Sequence, residues 1–236
     1  MTSESSGLFG PDDWDRIRLV VFDLDGTLYR QRPLRIAMAA ELVAHSLRNR
    51  SFADMRTLSI YRREREALGE RASDDFMTEL VLDVARQTGR TRDAVDRLVA
   101  EWIEQRPLRH LRRSRVAGAS EVFDGLRCRG VAIGVWSDYP VAAKLAALDL
   151  AADHMRSACD GDILCLKPGP KGLLAIMDAV GVGACETLMI GDRHDRDAAA
   201  AARAGVPAIL RTAAAVPGHH CFRDFTDPLF APVRGR

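Results

Sequence analysis

The chain has 236 residues, of which 47% are hydrophobic and 28% charged, and its 34 basic and 33 acidic side chains leave a formal net charge of +1. That balance offers nucleic acid no electrostatic footprint, and no apolar run is long enough to span a bilayer. Five scattered cysteines (Cys128, Cys159, Cys165, Cys185, Cys221) without a CxxC pair fit reduced thiols in a cytoplasmic protein rather than a disulfide framework or a metal knuckle.

The N-terminal stretch MTSESSGLFGPDDWD is polar and acidic, lacks the charged-then-apolar layout of a signal peptide, and reads as a loose lead-in. The run LVVF, Leu19–Phe22, predicts a buried strand, which ends abruptly in Asp23, Leu24, Asp25, Gly26 and Thr27. From about Pro33 to Gln105 apolar residues recur at three- and four-residue spacing, which predicts only helices. Ser73 with Asp74 and Asp75 predicts one helix start and Thr91 another. The basic run RHLRRSR, Arg109 to Arg115, reads as a solvated hinge returning the chain to the sheet.

Strand predictions resume at VAIGVW (Val131–Trp136), more weakly at Met155–Ala158, and again at TLMI (Thr187–Ile190) and PAIL (Pro207–Leu210). Helical patterns alternate with them, and Gly130 and Gly205 stop two of the helices. Such alternation predicts an α/β fold: a Rossmann-like, doubly wound parallel sheet with a helical insertion after its first strand. The expected division is a core of residues 1–29 and 111–236 around an α-helical cap of residues 30–110. After Arg211 the pattern is weak, and the adjacent His219 and His220 read as exposed loop histidines.

Open parallel sheets bind ligands outside the carboxyl ends of their strands. Here those ends carry Asp23 and Asp25, then Ser137 and Asp138, then Lys167, then Asp192 with Asp195 and Asp197. Carboxylates gathered on one rim raise each other's pKa unless a cation compensates, and a hard, oxygen-seeking Mg²⁺ suits that donor set. Lysine is scarce, with only Lys144, Lys167 and Lys171 in the chain, which singles out Lys167 beside Pro168.

These segments resemble the four motifs of the haloacid dehalogenase superfamily of phosphohydrolases: DLDGT, the serine of VWSDYP, the lysine of LKPGP and the acidic GDRHDRD. The resemblance runs from about Ile17 to Leu210, and the insertion's position is similar to the helical cap of phosphoglycolate phosphatase-like and beta-phosphoglucomutase-like members. It implies a Mg²⁺-dependent phosphatase with Asp23 as nucleophile, Asp25 as general acid and base, and Thr27 orienting the loop. Ser137 and Asp138 would contact the phosphoryl group and Lys167 would neutralise its charge. The metal would be held by Asp23, Asp25 (through its backbone carbonyl), Asp192 and Asp197, with Asp195 as a second candidate for the last place because position 196 is Arg. Arg30 is a candidate substrate contact, as are Arg32, Arg62 and Arg63, though each also suits a solvated surface. The implied partner is a small phosphorylated metabolite such as phosphoglycolate or a sugar phosphate.

Asp25 argues against dehalogenase chemistry, which does not use that acid. The absence of lysine between Arg30 and Arg115 argues against a phosphonate hydrolase with a cap Schiff base. A sugar-phosphate mutase stays open as an alternative, as does, further down, a non-catalytic scaffold.

Overall fold

Strand β1 (Leu19–Phe22) is buried along its whole length and forms the middle of a six-stranded sheet in the computed structural model, which describes residues 8–71 and 76–234. The expected helix start at Ser73, Asp74 and Asp75 lies outside the described residues. The other strands are β2 (Ala132–Ser137), β3 (His154–Ser157), β4 (Thr187–Gly191), β5 (Ala208–Arg211) and β6 (His220–Phe222). Their order is β3-β2-β1-β4-β5-β6, and every neighbouring pair is parallel. The chain winds outward in one direction from β1 through β2 to β3 and in the other from β4 through β5 to β6. The switch point of this doubly wound sheet therefore lies at β1 and β4. Their register sets Phe22 beside Ile190, so Asp23 leaves the sheet where β4 is about to release Gly191 and Asp192.

Alternation along β1 divides its side chains between two layers. Val20 and Phe22 face the larger core, with Val122, Phe123 and Leu126 of a helix at Ala119–Cys128. Leu19 and Val21 face the other layer, with Leu173, Ile176 and Met177 of a helix at Lys171–Val180 and the small Ala200 and Ala201. Burial on both faces is why these strands read as continuous apolar runs.

Between β1 and β2 the chain is helical: α1 (Gln31–Arg48), α2 (Ala53–Arg71), α3 (Phe76–Thr88), α4 (Arg92–Val99), a wider π-turn segment (Ala100–Gln105) and α5 (Leu108–Ser114). Thr91 caps α4 as expected, its hydroxyl oxygen accepting from the Ala94 amide at 3.3 Å. The basic run is not a hinge loop. It forms α5, where His110 lies 2.7 Å from Glu41 of α1 and Arg109 pairs with the same carboxylate. The expected boundary at residues 110 and 111 falls inside this helix. No helix among the described residues is long and apolar enough to cross a membrane.

The described parts of both terminal segments pack more fully than their patterns suggest. The lead-in packs from Phe9 onward: Trp14, 1% exposed, donates its indole N–H to the Leu229 carbonyl at 2.8 Å and meets Phe9 edge-on at 5.2 Å. The tail supplies β6 and an aromatic group, Phe222, Phe225 and Phe230, that reaches Phe22. We predict that Trp14→Ala costs about 3–5 kcal/mol of unfolding free energy in denaturant titration. A loss under about 0.5 kcal/mol, the range of surface substitutions, would show that the N-terminal segment is not part of the core.

Candidate active site

Asp23 is the first residue beyond β1, and its amide donates to the Ile190 carbonyl of β4 at 2.8 Å. One carboxylate oxygen accepts from the Thr27 hydroxyl at 2.9 Å and the other from Lys167 Nζ at 2.6 Å. Lys167, 2% exposed, also donates to Asp197 at 2.8 Å, so one ammonium bridges two buried acids. The second Asp197 oxygen accepts from the Asp192 and Arg193 amides at 3.1 and 3.0 Å. The Lys167 amide in turn donates to the Asp138 carboxylate at 2.9 Å.

Asp23, Asp192 and Asp197 each bring a carboxylate oxygen within 4.8 Å of the others. Two glycines permit this crowding. Gly26 has φ +109°, and a Cβ there would fall 2.1 Å from Asp192 Oδ2; a Cβ at Gly191 would fall 2.3 Å from Asp197. Burial, then repulsion from Asp197, raises the Asp23 pKa well above the usual carboxylate range despite Lys167. Burial and Asp197 likewise push Asp192 up to about 7. Burial works against the Lys167 charge, yet Asp197, Asp23 and Asp138 hold that amine firmly protonated. Three hard oxygen donors facing a single ammonium leave negative charge that a divalent cation would neutralise, so the donor set fits Mg²⁺. Among the described residues this is the His, Cys, Asp and Glu group placed to hold a metal, and the adjacent His219 and His220 are not in it.

Asp25 points elsewhere. The Asp25 carboxylate accepts from Lys144 Nζ at 2.6 and 2.9 Å, from the Ser137 hydroxyl at 3.1 Å, and from the Tyr29 hydroxyl. Burial would raise its pKa, but Lys144, Tyr29 and Ser137 outweigh burial and hold it below the ordinary value. Its backbone carbonyl accepts from the Gln31 side chain. Lys144, 6% exposed, lies on the short helix after β2 and stacks 4.9 Å from the Tyr139 ring centroid. Sequence reasoning missed it. The available signal was that it is one of three lysines and follows soon after Ser137 in sequence.

Asp195 is exposed and pairs with Arg193 at 2.6 Å, so the structure brings Asp197 and not Asp195 to the other acids. Arg196, where the resembled motif allows an acid, is 5% exposed and reaches two backbone carbonyls, those of Lys167 and, at 2.9 Å, of Glu66 in α2. Arg65 of α2 is buried against Tyr139, 4.2 Å from the ring centroid, and donates to the Asp138 carbonyl. These two arginines tie the inserted helices to the sheet rim, and neither was singled out from the sequence. Arg30 is exposed at the start of α1, away from the cavity lining. Arg62 does line the cavity, whereas Arg63 pairs with Glu64 on the outer surface. The cavity, about 720 Å³, lies between the rim and the inserted helices and includes Asp23, Asp25, Ser137, Asp138, Lys144, Lys167, Asp192 and Asp197 in its wall.

The haloacid dehalogenase-like hydrolase family matches residues 17–205. The chain belongs to that family. The chain is 33% identical over 205 residues to a phosphoglycolate phosphatase of Rhodospirillum rubrum, covering 82% of this chain and 78% of that protein. The Escherichia coli K12 phosphoglycolate phosphatase is 27% identical over 217 residues, covering 83% and 81%. Among solved structures, a 2-haloacid dehalogenase from Pseudomonas syringae superposes with a TM-score of 0.60 at 21% identity, covering 89% of this chain and 95% of that one. A beta-phosphoglucomutase from Clostridium difficile superposes with the same score at 15% identity, covering 89% and 92%. These two likenesses establish the α/β fold.

The crowding has a measurable sign. Asp192 is protonated more readily folded, near 7, than unfolded, near 3.8, so its contribution to stability is lost as pH rises through that window. We expect the melting temperature of the metal-free protein to fall from about pH 5 to about pH 7 by an amount that Asp192→Asn removes. Saturating Mg²⁺, which competes with protons for the carboxylates, should abolish or reverse that fall. An identical pH dependence in wild type and variant would contradict the raised pKa.

Proposed function

We propose that this family member is a Mg²⁺-dependent phosphatase that hydrolyses a phosphate monoester through an aspartyl-phosphate on Asp23. The observation that carries this reading is the pairing of Asp23 with Lys167 beside the Asp192–Asp197 acids, while Asp25 keeps a separate cation, Lys144. The names of the curated relatives, phosphoglycolate phosphatases, support the same chemistry.

In this reading the substrate's phosphate sits between Asp23 and Lys167. An Asp23 oxygen forms the new bond to phosphorus as the bond to the leaving alcohol oxygen breaks, and Asp25 gives that oxygen its proton. Water then attacks phosphorus, its proton passes to the Asp25 carboxylate, and the bond to Asp23 breaks to release inorganic phosphate. Thr27 keeps one Asp23 oxygen occupied so that the other faces the substrate. Ser137 is placed to donate to the phosphoryl group once released from Asp25, and Asp138 fixes the Lys167 backbone. Asp23, Asp192, Asp197 and the Asp25 carbonyl would hold Mg²⁺, which supplies charge neutralisation for the phosphoryl oxygens and the three acids.

Lys144 keeps Asp25 ionised in the resting site, ready for the second step. An arriving phosphate dianion opposes Lys144 and favours the proton needed for the first. Helices α1 to α4 act as a cap that excludes water.

Asp23→Asn is expected to lower Mg²⁺-dependent phosphate release from p-nitrophenyl phosphate and phosphoglycolate by at least about a thousandfold. Retention of activity in that variant would exclude Asp23 as nucleophile. Lys144→Met should raise the Asp25 pKa and move the acidic limb of the kcat profile upward by about 1–3 pH units. An unmoved limb would remove Lys144 from the mechanism.

A further inference from the structure

The cavity is far longer than a phosphate group, and its two ends differ in chemistry. At the rim it is walled by charged groups. Away from the rim one face of α1 lines it at residues 31, 34, 35, 38, 39, 42 and 43, the spacing of a single helical stripe. Gln31 bonds the Asp25 carbonyl, so the stripe begins at the reacting acids, and at a helical rise of about 1.5 Å per residue it reaches Val43 roughly 18 Å away. Residues 55, 58, 59, 62 and 66 of α2 form the facing wall at the same spacing. Leu34, Met38, Leu42, Met55, Leu58 and Trp102 make this half of the cavity apolar. At the Val43 end, Val43 is 43% exposed, and Leu47, one turn further along α1, and Phe52, in the α1–α2 turn, are exposed too.

From this geometry we infer that the alcohol of the substrate is an apolar chain lying in the α1–α2 trough, so that the preferred substrate is an alkyl-type phosphate monoester. The inference rests on the phosphatase reading for the position of the phosphate. The charges agree with it. A carboxylate-bearing leaving group needs a cation close to the phosphate, and the buried cations there are committed: Lys167 to Asp23 and Asp197, Lys144 to Asp25, Arg65 to the Asp138 carbonyl, and Arg196 to the Lys167 and Glu66 carbonyls. Apart from the rim acids, the other charged residues lining the cavity, Arg35, Arg62, Glu66 and Arg193, are solvent-exposed, and Arg193 is paired with Glu66 and Asp195.

Each methylene taken into an apolar wall contributes about 0.8 kcal/mol, equivalent to about fourfold in affinity. The test is a Mg²⁺-saturated calorimetric titration of the full chain with methyl-, butyl- and octylphosphonate, which carry a non-hydrolysable C–P bond. Kinetics with the corresponding alkyl phosphates and phosphoglycolate run alongside. The trough predicts that octylphosphonate binds at least tenfold tighter than butylphosphonate, that octyl phosphate has the highest kcat/KM, and that Leu42→Gln lowers the octyl-to-butyl affinity ratio at least threefold. Chain-length-dependent binding without turnover of any ester would uphold the trough and overturn the phosphatase reading. Equal affinities across the series, or a higher kcat/KM for phosphoglycolate than for octyl phosphate, would overturn the trough whatever monoesters are hydrolysed.

Discussion

The site depends on one ammonium holding two buried carboxylates against a third. Lys167 touches Asp23 and Asp197, and Asp192 stands within reach of both with no lysine of its own. Removing one partner of a buried charged group typically costs about 3–5 kcal/mol, because the remaining charge is left uncompensated. The arrangement therefore persists only because the rest of the fold enforces it: β1 and β4 in register, glycines where side chains would collide with the acids, and Asp138 anchoring the Lys167 backbone. The residual negative charge is what makes the place suited to a divalent cation.

A second ion pair sets the two motif acids in separate surroundings. Asp23 and Asp25 are two residues apart, yet they sit in opposite electrostatic conditions, one raised and one lowered. The raised value at Asp23 belongs to the metal-free cluster of acids, where a divalent cation would favour the ionised form, whereas Lys144 keeps Asp25 ionised without one. The inserted helices are coupled to the same residues. Arg65 reaches the carbonyl of Asp138, and Arg196 joins the Lys167 carbonyl to Glu66. Movement of α2 relative to the rim would thus be felt at the backbone of two residues that line the reacting end of the cavity.

Much of this was legible in the sequence, and the reasons are physical. Strands buried on both faces announce themselves as apolar runs, so β1, β2, β4 and β5 were visible within a residue or two, and the acids at their ends marked the rim. Asp23, Lys167, Asp192 and Asp197 converge as their strand-end positions suggest. What stayed hidden depends on contacts across the chain. A three-residue strand such as β6 has no period to read, and Trp14 joins the core through Phe9, Phe230 and the Leu229 carbonyl that its indole N–H reaches. Arg65, Arg196 and Lys144 look like surface cations until the fold buries them. Conversely, Arg30 adjoins the motif in sequence but turns away at the start of α1.

Calorimetric titration of the metal-free protein with Mg²⁺ near neutral pH tests most directly the proposal that the three carboxylates around Lys167 hold a divalent cation. We predict one saturable site, with proton release visible as a dependence of the heat on buffer ionisation enthalpy, and with affinity lost in Asp197→Asn. The absence of saturable Mg²⁺ binding, or equal affinity in that variant, would contradict it.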